Sequence, residues 1–179
     1  MLKKIISYLI ISTISAEILY AADIPVIVIA PGKTTQSYST VGSAVSVIDS
    51  KDLENSNEFF LGNVLDDGLP GMNYFRQGGH GTLSAIQLRG LPKRYSTIYI
   101  DGVKMSDPST SDNSFYFSNI MNSSIDRIEI LRGSQSSLYG SSAIGGTINI
   151  FTKKGKKEKN REIDISSGSN GTKNINLSY

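Results

Sequence analysis

The stretch that decides the fold begins Ile125-Asp126-Arg127-Ile128-Glu129-Ile130-Leu131-Arg132-Gly133 and continues, three residues later, Ser137-Leu138-Tyr139-Gly140-Ser141-Ser142-Ala143-Ile144-Gly145-Gly146-Thr147-Ile148-Asn149-Ile150. Ile128 and Ile130 mark a period-two strand over Asp126 to Leu131, and Arg132-Gly133 ends it. Ser137 to Tyr139 reads as a short helical turn before Gly140. Ile144-Gly145-Gly146 then leads into a last strand, Thr147 to Thr152, with Ile148 and Ile150 on one face.

Working outward, the same kind of reading covers the residues before this stretch. Val45-Ser46-Val47-Ile48 alternates apolar and polar as a strand does. Asp49 or Ser50 can cap a helical turn at Lys51 to Asn55. Ser56 or Asn57 can cap a second helix, in which Phe60, Leu61, Val64 and Leu65 recur at helical spacing; Gly68 and Pro70-Gly71 stop it. Ser84 to Arg89 alternates as another strand, and Ile98-Tyr99-Ile100 runs into the tight-turn dipeptide Asp101-Gly102. These elements predict a compact α+β domain over Val41 to Thr152, a small mixed sheet with short helices and long polar loops. The two longest loops are Asn73 to Ser84, with Arg76-Gln77-Gly78-Gly79-His80-Gly81, and Lys104 to Asn122, with Asp107, Asp112 and Phe115-Tyr116-Phe117. Loops of that length on a compact scaffold read as binding surfaces.

Both ends of the chain carry a different grammar. Lys3 and Lys4, the apolar run Ile5 to Leu19, and the small residues Ala21 and Ala22 have the layout of an export signal, residues 1–22, cleaved after Ala21 or Ala22. The run is too short and too interrupted for a membrane-spanning helix, which needs about 20 apolar residues. Residues 23–40 hold Ile24-Pro25-Val26-Ile27-Val28-Ile29-Ala30, with Pro31-Gly32 after it. Its prolines exclude a central strand. Two readings stay open: a strand offered to the edge of a partner's sheet, or an edge strand of its own domain. Residues 153–179 open with Lys153, Lys154, Lys156, Lys157, Lys159 and Arg161, which read as a solvated turn. Ile163 and Ile165, then Ile175, Leu177 and Tyr179, alternate with polar residues about Gly168-Ser169-Asn170-Gly171. That is a hairpin with one apolar face, as in transmembrane β-barrel strands.

Composition narrows the chemistry. The 179 residues hold 18 Lys and Arg against 16 Asp and Glu, a net charge of +2 that gives no argument for nucleic acid. The absence of Cys removes disulfides, zinc-thiolate sites and thiol catalysis, and the single His, His80, removes multi-histidine metal sites. His80 sits among glycines and reads as a loop residue rather than a catalytic base. Asp66-Asp67 ends a helix and reads as solvated. Asp107 and Asp112 lack the dense oxygen spacing of a calcium loop. No phosphate-binding glycine motif is present. Tyr95, Tyr99 and Tyr116 read either as ligand-stacking rings or as packing. The expectation is a protein that is not an enzyme and holds no metal or cofactor.

The domain resembles the plug of TonB-dependent outer-membrane receptors. The resemblance rests on Leu69-Pro70-Gly71-Met72, Ile86-Gln87-Leu88-Arg89-Gly90, Ile98-Tyr99-Ile100-Asp101-Gly102-Val103 and the two stretches quoted first, five motifs in family order. It covers roughly Val26 to Thr152. The loop Gly78-Gly79-His80-Gly81-Thr82-Leu83-Ser84-Ala85 and the closing segment are most similar to the cobalamin and siderophore receptor branch.

The resemblance implies residue roles. Ile24, Pro25, Val26, Ile27, Val28, Ile29 and Ala30 occupy the place of the TonB box, the strand handed to the TonB C-terminal domain, which works with ExbB and ExbD. Arg89, Glu129 and Arg132 match plug charges that pair with barrel-wall carboxylates. Leu83, Ala85, Pro92, Thr110 and Ser111 match ligand-contacting positions, with cobalamin or a ferric siderophore as the implied ligand. Ala85 and Pro92 replace polar residues expected there. The implied setting is the outer membrane of a Gram-negative bacterium, and the implied mechanism is gating: ligand outside changes the exposure of the box inside, and TonB pulls. A family barrel of about 22 strands, at about 10 residues each, is far longer than residues 153–179. The expectation is therefore a receptor fragment or truncated frame holding the plug and the first barrel hairpin. The alternative is a stand-alone secreted binding or adhesion module with a plug fold and no transport.

Overall fold

The computed structural model describes residues 27–56, 58–66, 69–79, 81–155 and 162–178. Residues 1–22, read above as an export signal, and Ile24, Pro25, Val26, Asn57, Asp67, Gly68, His80, Lys156, Lys157, Lys159, Arg161 and Tyr179 lie outside the described residues.

Strands β1 (Ile27–Val28) and β2 (Gln36–Ser37) pair antiparallel. Strand β3 (Ala44–Ile48) leads into helix α1 (Ser50–Asn55). Asp49 is the cap: its side chain accepts from the Lys51 and Asp52 N–H groups, and the Asp52 carboxylate in turn accepts from the Asp49 N–H. Helix α2 (Leu61–Asp66) buries Leu61 and Leu65. Phe60 stands before it in an isolated bridge with Met121 rather than in the helix.

Strands β4 (Met72–Arg76) and β5 (Ser84–Leu88) form a two-stranded ladder. The polar loop expected from Asn73 is thus shortened to its tip. Strands β6 (Ser96–Ile100) and β7 (Val103–Met105) form a hairpin, so the second loop begins after Met105. Strand β8 (Ile125–Arg132), helix α3 (Ser136–Tyr139) and strand β9 (Gly146–Thr152) occupy the stretch that decides the fold.

The main sheet has the order β3-β8-β9-β6-β7, with β6 and β9 parallel and the other pairs antiparallel. The strand period of two sorts its residues. Ile128, Ile130, Ile148, Ile150 and Ile98 face the main core with Leu53 of α1, Leu61 and Leu65 of α2, Ile86 and Leu88 of β5, and Phe117. The opposite face carries the cross-strand row Val47, Glu129, Asn149 and Tyr99. Over that face lie Val28 and Ala30, packed with Val45 and Leu131, and Tyr139 with Ala143 beside Tyr99. Gly146 is obligatory at the start of β9: at φ +148°, an added Cβ would sit 2.2 Å from the Leu131 carbonyl oxygen.

Beyond the sheet, β10 (Glu162–Ser167) and β11 (Lys173–Ser178) pair antiparallel. Their register sets Ile163 opposite Leu177 and Ile165 opposite Ile175, and all four are exposed. Among the described residues, no helix is long and apolar enough to cross a membrane.

Candidate functional sites: a docked N-terminal segment and a polar loop cluster

The alternation of β8 brings the N-terminal segment to a charged residue. Between the core residues Ile128 and Ile130, the strand must turn Glu129 to the other face, where it is 0% exposed. One carboxylate oxygen accepts from the N–H groups of Ile29, at 2.8 Å, and Ala30, at 2.7 Å. The other accepts from Arg127 Nε at 2.9 Å. Tyr139 donates its hydroxyl to the Ala30 carbonyl. Lys33 Nζ stands 4.9 Å from the centre of the Tyr139 ring. Burial pushes the Tyr139 phenol up to about 12, with the Tyr99 phenol and the Glu129 carboxylate acting in the same direction. Val28 is completely buried, which is worth about 1.5–3 kcal/mol for a side chain of this size. In this structure residues 27–30 lie docked on the chain's own domain, with β1 paired to β2 in a separate ladder rather than to an edge of the main sheet.

The second cluster lies around the polar loops. The short turn Lys93–Tyr95 carries Lys93 to the Tyr116 hydroxyl at 2.8 Å and to Asp112 at 3.4 Å. The Tyr116 hydrogen bond, with help from Asp112, raises the Lys93 ammonium above its ordinary value against partial burial. Burial alone would raise Asp112, but the Ser114 hydrogen bonds and Lys93 outweigh it and hold the carboxyl below its ordinary range. A cavity of about 310 Å³ opens beside this network, lined by Arg94, Ser96, Thr97, Lys104 and Ser114 among others. The buried hydroxyls of Ser96 and Thr97 have no protein partner among the described residues. A cavity that polar and that large can hold water or part of a ligand.

The residues carried over from the family resemblance fall into different places. Leu83, Pro92 and Ser111 are exposed and Thr110 is half-buried, its hydroxyl bonded to the Asp107 carbonyl. Ala85 is 0% exposed in β5 although it lies on the face opposite the core residues Ile86 and Leu88, because both faces of this strand are covered, and it has no surface to give a ligand here. Glu129, matched to a barrel-wall contact by the resemblance, is fully buried here by the domain's own groups. Arg132 spends its guanidinium on the Pro70 carbonyl at 2.7 Å and the Ser46 hydroxyl at 2.8 Å. Arg89 remains exposed, at φ +55°. Tyr99 packs edge-on against Tyr139, and Tyr116 holds Lys93, so both rings are committed inside the domain. Arg94 lies over Tyr95 at 4.9 Å. The Asp107 carboxylate accepts from the Ser109 N–H and hydroxyl. Among the described residues, no three His, Asp or Glu side chains gather as a metal site would require.

Sequence reasoning missed Tyr139, a partner of the docked segment, and Arg127, which pairs with Glu129. The alternation that marked Ile128 and Ile130 also implied that Arg127 and Glu129 share a face, so part of that signal was present.

Comparison with known proteins agrees with this architecture. The sequence model described as "TonB-dependent Receptor Plug Domain" matches residues 37–147. The vitamin B12 transporter BtuB of Vibrio vulnificus is 30% identical over 142 residues, which are 79% of this chain and 23% of that protein. The chain thus spans less than a quarter of the curated relative. The siderophore receptor PiuA of Acinetobacter baumannii superposes with a TM-score of 0.64 at 26% identity, over 79% of this chain and 19% of that one. The ferripyoverdine receptor of Pseudomonas aeruginosa superposes with a TM-score of 0.71 at 18% identity, over 86% of this chain and 20% of that one, and so shares the fold. The family is one of receptor domains rather than enzymes. With its mixed sheet, its polar loops and a match across most of the compact domain, the chain belongs to the TonB-dependent receptor plug domains.

Proposed function

We propose that this chain gates an outer-membrane receptor: residues 41–152 stopper a β-barrel, and residues 24–30 are the strand taken by the TonB C-terminal domain, energised with ExbB and ExbD. The observation that carries the reading is the family match over residues 37–147. Residues 1–22 are the export signal and 23–40 the TonB-box segment with its linker. Residues 153–179 form the first barrel hairpin. The exposed apolar row Ile163, Ile165, Ile175 and Leu177 supports that last assignment, because a lipid-facing row must be apolar on one side of the ladder. Leu83, Pro92, Thr110 and Ser111 face the ligand, which is cobalamin or a ferric siderophore. Arg89 is the exposed charge available to the barrel wall. Arg132 keeps part of its side chain at the surface while it braces β3.

In this mechanism ligand at the loops and TonB at the N-terminal segment are coupled through the plug, and the coupling is reciprocal in binding free energy. The test is retention of the TonB C-terminal domain by the full chain. Val28→Pro removes a strand donor and is expected to abolish retention. Retention unchanged by that substitution, or no retention by the wild type, overturns the TonB assignment. Uptake of cobalamin and of several iron chelates by the full receptor identifies the cargo.

A further inference from the structure

Strand β7 is too short to cover its neighbour. It pairs with β6 only from Ile98, opposite Met105, to Ile100, opposite Val103. Among the described residues, the edge of β6 at Ser96 and Thr97 therefore has no strand beside it on that side. The cavity of about 310 Å³ fills the gap. Ser96 and Thr97 both line it, although alternation turns neighbouring side chains to opposite faces, so the cavity lies at the strand's edge rather than on one face. The two residues are 6% and 3% exposed, and neither hydroxyl has a protein partner among the described residues. A buried hydroxyl without a partner costs stability, so both are costly groups held beside a polar space. Arg94, stacked on Tyr95, and Lys104 also line the cavity, and among the described residues neither forms a salt bridge. The carboxylate in the lining, Asp112, is engaged by Lys93 at 3.4 Å and by the Ser114 N–H at 3.2 Å, and acts on Arg94 at longer range.

We infer that the open edge of β6 is an oxyanion site: Lys104 and Arg94 supply the charge, the Ser96 and Thr97 hydroxyls donate, and the occupant is a carboxylate-bearing, multiply anionic arm of the cargo. All four side chains can donate, which selects a ligand rich in acceptors. With Lys93 behind the wall, three cations stand against the single carboxylate of Asp112, so a negative group is drawn in and a positive one repelled. The volume falls in the range of small-molecule pockets, about 300–1,000 Å³, and exceeds what one carboxylate fills. None of Leu83, Pro92, Thr110 and Ser111 lines the cavity, so the site is separate from the positions carried over from the family. The inference rests on the proposed receptor role and narrows its cargo to an iron chelate with a net negative charge and carboxylate oxygens. Cobalamin has a single anionic group, its phosphodiester, and is the other source of an oxyanion.

The test is titration of the full chain with citrate at constant ionic strength, read by amide chemical shifts. Saturable shifts are expected at Ser96, Thr97 and Lys104. Lys104→Met and Thr97→Val are each expected to weaken citrate binding by about tenfold, the factor one charge-assisted hydrogen bond is worth. Lys51→Met, a surface change of the same charge on α1, should leave it unchanged. Thr97→Val keeps the side-chain shape and removes a hydroxyl that has no partner, so its urea midpoint should not fall. That combination, binding lost and stability kept, is what a hydroxyl with only a structural role would not give. No saturable shift in the wild type, or equal citrate affinity in the wild type, Lys104→Met and Thr97→Val, overturns the site. Uptake by the full receptor separates the sources. Ferric citrate taken up in preference to cyanocobalamin supports the anionic chelate; cyanocobalamin taken up alone, and displacing citrate from the chain, overturns it. Citrate bound as expected, with no uptake of cobalamin or of any iron chelate, overturns the receptor role and leaves the oxyanion site standing.

Discussion

Asp101 clasps Thr152 with both of its carboxylate oxygens: one accepts from the Thr152 N–H at 2.9 Å and the other from its hydroxyl at 2.6 Å. Asp101 and Gly102 both take positive φ, +49° and +83°, as the tight turn between β6 and β7 demands. The clasp ties that turn to the last residue of β9, where the chain leaves the plug. The Thr152 hydroxyl and N–H hold the Asp101 carboxyl below its ordinary range. A depressed carboxyl contributes stability that is present above the ordinary carboxylate pKa and lost as pH falls through the lower folded value. Thr152→Val should cost about 0.5–1.5 kcal/mol at neutral pH, for one net hydrogen bond at an exposed site. It should also flatten the acid limb of stability against pH. Urea melts from pH 7 to pH 2 measure both.

A second contact fixes α2 against β4. Gly62 lies against the phenol end of the Tyr74 ring, and a Cβ added there would stand 2.3 Å from its Cε2 atom. Gly62→Ala should therefore destabilise by about 1–3 kcal/mol, despite a gain of about 1 kcal/mol in helix propensity. In a Tyr74→Ala background the same change should be neutral or stabilising. A double-mutant cycle read by urea denaturation gives the coupling, and additive effects would sink the explanation.

These two contacts also mark how far the sequence could be read. The alternation of Ile128 with Ile130 and of Ile148 with Ile150 located β8 and β9 to within a residue at each end. The Asp49 cap and the Asp101-Gly102 turn were equally legible, because caps and turns are local chemistry. Strand β4 was not seen: Met72 and Tyr74 do alternate with Asn73 and Phe75, but the run is half-polar, and among the described residues it pairs with β5 alone. Strand β7 has three residues, too few to show a period. The placement of Ala85 came from a family position and ignored that β5 has both faces covered. Glu129 was matched only to a charge that pairs with the barrel wall; its partners here, Ile29 and Ala30, are about 100 positions away and engage it through backbone groups that no side-chain pattern encodes.

The Tyr139 phenol supplies a test at alkaline pH. Its raised pKa, to about 12, means that the folded chain keeps the proton when the unfolded chain has lost it. The associated stability is complete below the ordinary tyrosine pKa, about 10, and is lost as pH rises toward about 12. Tyr139→Phe should therefore lower stability at pH 8 by about 0.5–1.5 kcal/mol, for the hydrogen bond to Ala30. It should also reduce the fall in stability between pH 10 and pH 12. Denaturation midpoints across that range check it; an unchanged slope would mean that the proton on Tyr139 is not what the alkaline limb reports.

The Lys93 network makes a prediction about the loop proposed to face the ligand. Lys93 bridges from the turn after β5 to Tyr116 and Asp112, and its ammonium also stands 4.5 Å from the centre of the Tyr116 ring. Each of these contacts is partly open to water and modest by itself, about 0.2–1 kcal/mol. Together they are what joins residues 112–116 to the turn at residues 93–95. Lys93→Met keeps the aliphatic stem and removes the charge. It should lower global stability by no more than about 1 kcal/mol, while amide exchange at Asn113 to Tyr116 rises well above that of the main sheet. The alkaline sign agrees: a raised lysine pKa makes the bridge complete below the ordinary lysine value and lost above the folded one, so the wild-type loop should loosen at high pH and the Lys93→Met loop should not change. If exchange in the loop is the same in both proteins at neutral pH, the bridge does not order the loop, and the proposed ligand contacts at Thr110 and Ser111 must be positioned by the backbone turns at Asp107 and Thr110 alone.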